Sequence, residues 1–122
     1  MSDFPVTIYH NPRCSTSRTA LSLLQDKGYN PEIVEYLNVG WTEQTLLSLA
    51  AKSGGLKGLL RGKEPLAQEL GLLKPRVREA TILKAMIKHP ILVERPIIDT
   101  PKGVVVARPM ERINDVMDRV IV

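Results

Sequence analysis

The chain has 122 residues, 43% hydrophobic and 25% charged, an ordinary globular mixture at a length suited to one domain (commonly about 100–150 residues). Its longest apolar runs, such as Val104-Val105-Val106-Ala107, are far too short for a membrane span, and Met1-Ser2-Asp3-Phe4-Pro5 lacks the layout of a signal peptide. The net charge of +4 comes from scattered Lys and Arg without interleaved aromatics, which argues against a nucleic-acid surface and suits an anionic small substrate.

Val6-Thr7-Ile8-Tyr9 is short, β-branched and apolar, so it reads as a buried strand. His10-Asn11-Pro12-Arg13 breaks it as a loop. Ser15, Thr16 and Ser17 then offer N-cap hydroxyls to a helix bearing Ala20, Leu21, Leu23 and Leu24, with Gly28 as its left-handed stop. Ile33-Val34-Glu35-Tyr36-Leu37 reads as a second strand, so the opening is β-α-β with parallel strands.

The middle reads as a helical insertion over about residues 42–89. Thr42 caps a helix that stops at Gly54-Gly55, a short turn covers Leu56–Leu60, and Pro65 opens a small helix ending at Gly71. Val77, Ala80, Leu83 and Ile87 follow helical spacing until His89-Pro90. Strands return at Pro96-Ile97-Ile98-Asp99 and Val104-Val105-Val106-Ala107, joined through Thr100-Pro101-Lys102-Gly103 as an antiparallel hairpin. Pro109 opens a last helix carrying Ile113, Val116, Met117 and Val120. The expectation is a single α/β domain spanning 1–122, with a mixed four-stranded sheet in the order β-α-β, helices, β-β-α, the thioredoxin layout with a helical insert.

Cys14, the one cysteine, stands where the first strand has ended and the first helix begins. A helix N-terminus favours the reactive thiolate, and its unpaired N–H groups can cradle an oxyanion brought to the sulfur. The polar loop before Cys14 and three hydroxyl residues after it argue against a merely buried thiol. His10, four residues earlier, is a candidate cation or hydrogen-bond donor to the thiolate, and one of Ser15, Thr16 and Ser17 a candidate donor to sulfur or anion. Position 17 is Ser, so Cys14 has no partner at Cys-x-x-Cys spacing, and a redox cycle needs an external thiol such as glutathione or a glutaredoxin. One cysteine and no export signal point to the reducing cytoplasm. No bound cofactor, metal, nucleic acid or membrane is expected.

The run Tyr9-His10-Asn11-Pro12-Arg13-Cys14-Ser15-Thr16-Ser17-Arg18 resembles the signature of the glutaredoxin-coupled arsenate reductases, the ArsC family. The likeness continues through Leu59-Leu60-Arg61, His89-Pro90-Ile91-Leu92-Val93-Glu94-Arg95-Pro96-Ile97 and Ala107-Arg108-Pro109. It implies a thioredoxin-like fold, a nucleophile at Cys14, a histidine at His10 that helps keep it ionised, and arsenate-binding arginines at Arg61, Arg95 and Arg108. It also places at Pro96 the cis proline that thioredoxin-like folds hold against their cysteine. Glutathione is implied as co-substrate and glutaredoxin as partner. Ser15 departs from the glycine that the best-known reductases carry there. Two other readings share the fold: a general glutathione-dependent thiol oxidoreductase, and an Spx-like regulator that binds RNA polymerase. The second typically carries a Cys-x-x-Cys switch, which Ser17 interrupts.

Overall fold

The computed structural model describes residues 3–122, and they form two compact units. One comprises the residues up to Val39 together with Arg95–Val122, and the other Gly40–Glu94.

The first unit is a mixed four-stranded sheet with helices. Strand β1 (Thr7–Tyr9) runs parallel to β2 (Glu32–Val34) and antiparallel to β3 (Ile97–Thr100), which pairs in turn with β4 (Gly103–Val106). The order β2-β1-β3-β4 puts β1 and β3 in the centre. Their residues Ile8, Ile97 and Ile98 are fully buried, as apolar side chains of interior strands should be. Helix α1 (Ser15–Asp26) crosses over between β1 and β2 and buries Ala20 and Leu24 against Ile8, Ile98, Ile113 and Val116. Full burial of a leucine stabilises by about 1.5–3 kcal/mol. Gly28, at φ 93°, takes the left-handed conformation just past the helix that a side chain would resist.

Three local expectations need correction. The N-cap of α1 is Cys14 itself, with extended backbone (φ −95°, ψ 121°), rather than one of the three hydroxyl residues. The second strand stops at Val34. There Glu35 accepts from the Asn38 N–H at 2.9 Å and the chain turns into a single helical turn, α2 (Tyr36–Val39), which buries the Tyr36 ring. The closing segment is a 3-10 helix over Met110–Val116, not an α-helix reaching Val120. Its buried Ile113 and Val116 lie three apart, as that tighter helix requires, and Asn114 Oδ1 accepts from the N–H groups of Ile121 and Val122 and so holds the chain end in a turn.

The second unit extends slightly beyond the helical stretch read from the sequence. Helix α3 (Glu43–Ser53) is capped by Thr42, whose hydroxyl accepts from the Thr45 N–H, and it stops at Gly54 in the left-handed conformation (φ 92°). A 3-10 turn (Leu56–Leu59), α4 (Pro65–Glu69) and α5 (Glu79–Lys88) follow. A single antiparallel bridge joins Leu60 to Val93. It is reinforced by Arg61 N–H to Leu92 O and Glu94 N–H to Leu59 O, each 2.7 Å. Among the described residues no helix is long and apolar enough to cross a membrane.

Candidate active site

The site is built on the loop between β1 and α1. Asn11 organises that loop: its carbonyl accepts from the Cys14 N–H at 3.0 Å, and its side-chain Oδ1 accepts from the Arg13 N–H at 3.0 Å. This is the local turn that an Asn-Pro pair favours. Arg18 reaches back to donate to the Pro12 carbonyl at 2.9 Å. The loop is thereby pinned to the first turns of α1, and Cys14 is left half-buried at the helix N-terminus.

Two arginines from the segments flanking the β3–β4 hairpin meet it. Arg108 Nη2 donates to Cys14 Sγ at 3.3 Å, and Arg108 Nε donates to the Arg95 carbonyl at 2.7 Å, which ties the two arginine-bearing segments together. Burial pushes the Cys14 thiol up, but the Ser17 N–H, the Arg95 guanidinium and the Thr16 N–H outweigh it, so the net direction is downward. Cys14 is therefore a thiol biased toward the thiolate. Arg95 has its Nε and Nη1 buried without a hydrogen-bond partner. Buried donors are normally paired, and one left unmade costs about 1–3 kcal/mol. An anion beside the sulfur would satisfy them.

His10 is buried, and its imidazole does not bond the sulfur. Nδ1 lies 2.7 Å from Ser17 Oγ, which also accepts from the Asn11 N–H at 3.0 Å. Burial holds the imidazole below its usual range, and Arg18 adds to that while Glu35 opposes it. His10 bonds Ser17, whose hydroxyl also accepts from the Asn11 N–H and whose own N–H faces the sulfur. Among the hydroxyl residues, Ser17 is fully buried, Ser15 is exposed and Thr16 lies between.

Arg61 belongs to the helical unit. There its Nη1 donates to Glu94 Oε1 at 2.8 Å, with both side chains mostly buried. The Arg95–Pro96 bond is cis, as the resemblance implies for Pro96, and Arg108–Pro109 is cis as well, which nothing in the sequence reading anticipates. Asn11 is the functional residue that reading missed. The signal is the Asn-Pro dipeptide, which in the sequence reads only as a loop break.

The sequence profile of the ArsC family matches residues 9–116. An arsenate reductase of Synechocystis sp. is 46% identical over 119 residues, 97% of this chain and 83% of that protein. One of Escherichia coli is 37% identical over 113 residues, 92% of this chain and 80% of that protein. The solved structure of an arsenate reductase from Vibrio cholerae superposes with a TM-score of 0.89 at 33% identity, covering 95% of this chain and 100% of that one.

Proposed function

The chain belongs to the ArsC family, and from that premise we propose that it is an arsenate reductase with Cys14 as the nucleophile and glutathione and glutaredoxin as the electron source. The observation that carries the reading is the meeting of Arg108 and Arg95 with a thiol biased toward its anion, while two Arg95 nitrogens stay buried and unpaired. Guanidinium groups suit a tetrahedral oxyanion because their planar donors match its oxygens, which a lysine ammonium cannot copy.

Arsenate enters as an anion and is held by Arg95, Arg108 and the first-turn N–H groups of α1. For Arg61 the support is the family resemblance, and its pairing with Glu94 keeps its charge oriented within its own unit. The Cys14 thiolate attacks arsenic, a sulfur–arsenic bond forms, and one arsenic oxygen leaves as water after taking up protons. The arginines offset the negative charge that gathers on the remaining oxygens. Two external thiols then give up one electron pair between them, the sulfur–arsenic bond breaks, and Cys14 is restored as a thiol. Arsenic acid and two thiols become arsenous acid, one disulfide and one water.

With Ser17 at the position a second cysteine would need, those thiols come from outside the chain, and the reducing cytoplasm is where they are plentiful. The same serine disfavours the regulator reading, since no Cys-x-x-Cys switch can close. The general oxidoreductase reading uses the lowered thiol but supplies no tetrahedral anion for the unpaired Arg95 Nε and Nη1 to hold. The test is a coupled assay with arsenate, glutathione and glutaredoxin, in which the Cys14→Ser protein is expected to fold and to show no turnover. Retained turnover in that variant would remove Cys14 as the nucleophile.

A further inference from the structure

We propose that Arg61 and Glu94 are a positioning pair, whose ion pair fixes the backbone at Glu94 and thereby aims the next residue, Arg95, at the sulfur of Cys14. The proposal rests on the reading of Arg95 and Cys14 as the oxyanion site and adds what holds Arg95 in place.

An arginine side chain is long and rotates freely, so its guanidinium is only as well placed as the backbone that carries it. Here that backbone is held on both sides. The Glu94 N–H donates to the Leu59 carbonyl and the Arg61 N–H to the Leu92 carbonyl, each at 2.7 Å, flanking the Leu60–Val93 bridge. At the end of this short ladder Arg61 Nη1 donates to Glu94 Oε1 at 2.8 Å, with the two side chains only 16% and 20% exposed. One residue on, the Arg95 carbonyl accepts from Arg108 Nε at 2.7 Å, and Arg108 Nη2 reaches the sulfur at 3.3 Å.

Charge alone gives no reason for Glu94. A carboxylate one residue from an arginine that receives an oxyanion works against the oxyanion. Net stability is no sufficient reason either, because apolar residues of similar volume often serve as well as a largely buried ion pair. What the pair supplies is one fixed geometry. The Arg95 Nε and Nη1 donors are buried and unpaired, and donors aimed in advance at an anion need no reorganisation when it arrives. The same placement keeps the Arg95 guanidinium beside Cys14, where it favours the thiolate.

The sign of one measurement separates positioning from charge. By charge alone, removing a carboxylate favours the thiolate, so Glu94→Ala would lower the pH midpoint of Cys14 alkylation or leave it unchanged. If Glu94 positions Arg95, the guanidinium drifts from the sulfur in Glu94→Ala and the midpoint rises. The expected rise is at least about 0.5 pH unit, a part of the about 1–3 units that a close opposite charge supplies. Glu94→Gln keeps an acceptor oxygen for Arg61, so its rise should be smaller but still upward, and it decides the matter if melting shows that Glu94→Ala does not fold. In an Arg95→Ala background, removing the Glu94 carboxylate should no longer raise the midpoint. A midpoint unchanged or lowered in the Glu94 variants, or the same rise without Arg95, would overturn the positioning role. Protection of Cys14 from alkylation by arsenate is measured on the parent in parallel. An unprotected parent removes arsenate as the oxyanion and leaves the midpoint comparison standing, whereas a protected parent with no rise in the Glu94 variants keeps arsenate and sinks the positioning pair.

Discussion

Arg95→Lys separates oxyanion chemistry from ordinary thiol exchange. In the parent, the Arg95 guanidinium both lowers the Cys14 thiol and leaves Nε and Nη1 buried without partners. Lysine keeps one positive charge but presents a single nitrogen, so at least one donor to the arsenate oxygens is lost. A hydrogen bond to a charged group is worth about 1.5–3 kcal/mol, which at about 1.36 kcal/mol per decade of rate is about a ten- to 150-fold loss. Part of any loss could come from a less ionised Cys14 instead. The assay therefore measures two reactions on the same protein: arsenate reduction, and reduction of a mixed disulfide between Cys14 and glutathione. Both depend on the Cys14 thiolate, one as attacking and one as leaving group, but only arsenate has a tetrahedral anion to hold. The arsenate reaction is expected to fall by at least about ten times more than the exchange reaction. Equal losses would mean that Arg95 acts only through the thiol, and no loss in either would remove it from the site.

The alkylation rate of Cys14 against pH should give a midpoint below the ordinary thiol value of about 8.5, because the Ser17 and Thr16 N–H groups and Arg95 outweigh burial; a midpoint at or above that value contradicts an activated thiol. Ser17→Ala strands the Asn11 N–H and His10 Nδ1 in a buried place, so denaturant unfolding should show a loss of about 1–3 kcal/mol and the alkylation midpoint should rise. An unchanged midpoint would break the link from His10 through Ser17 to the sulfur. His10 has a folded value below its unfolded one of about 6.5, so below that pH the unfolded chain binds more protons. Stability should therefore be fully present above about pH 6.5 and decline as pH falls through the folded value, and His10→Gln should flatten that slope in pH-resolved melts.

Much of the fold was legible because its signals are local. Thr42 and Gly54 bracket α3, Pro65 opens α4, and the Pro101-Lys102-Gly103 turn dictates an antiparallel hairpin whatever surrounds it. The errors fall where a tertiary contact overrides local preference. Ile33–Leu37 is apolar enough for a strand, yet the chain turns at Glu35, where the Asn38 N–H bonds the Glu35 carbonyl and Tyr36 is buried in a helical turn. The closing helix has the apolar spacing of an α-helix over two turns. Even so, the bonds from Asn114 to the last residues favour a shorter, tighter coil whose buried positions repeat every three.

The site was legible as a set of residues and not as a set of partnerships. Cys14 at the strand-to-helix junction follows from order alone, since a nucleophile there meets free N–H groups in any β-α unit. Arg108 on the sulfur could be expected only through resemblance, because 94 residues separate it from Cys14 and no local rule spans that distance. His10 shows the limit most clearly. Four residues from Cys14 suggests direct contact, but the Asn11 turn carries the chain so that the imidazole meets Ser17, seven residues on, and Ser17 in turn meets the sulfur. Ser17 thus fills, with a hydroxyl, the position that a Cys-x-x-Cys pair would give to a second thiol. A hydroxyl there can lock the loop but cannot close a disulfide. The proposed reduction therefore draws on an outside thiol for the same reason that the loop is pinned: position 17 carries a hydroxyl.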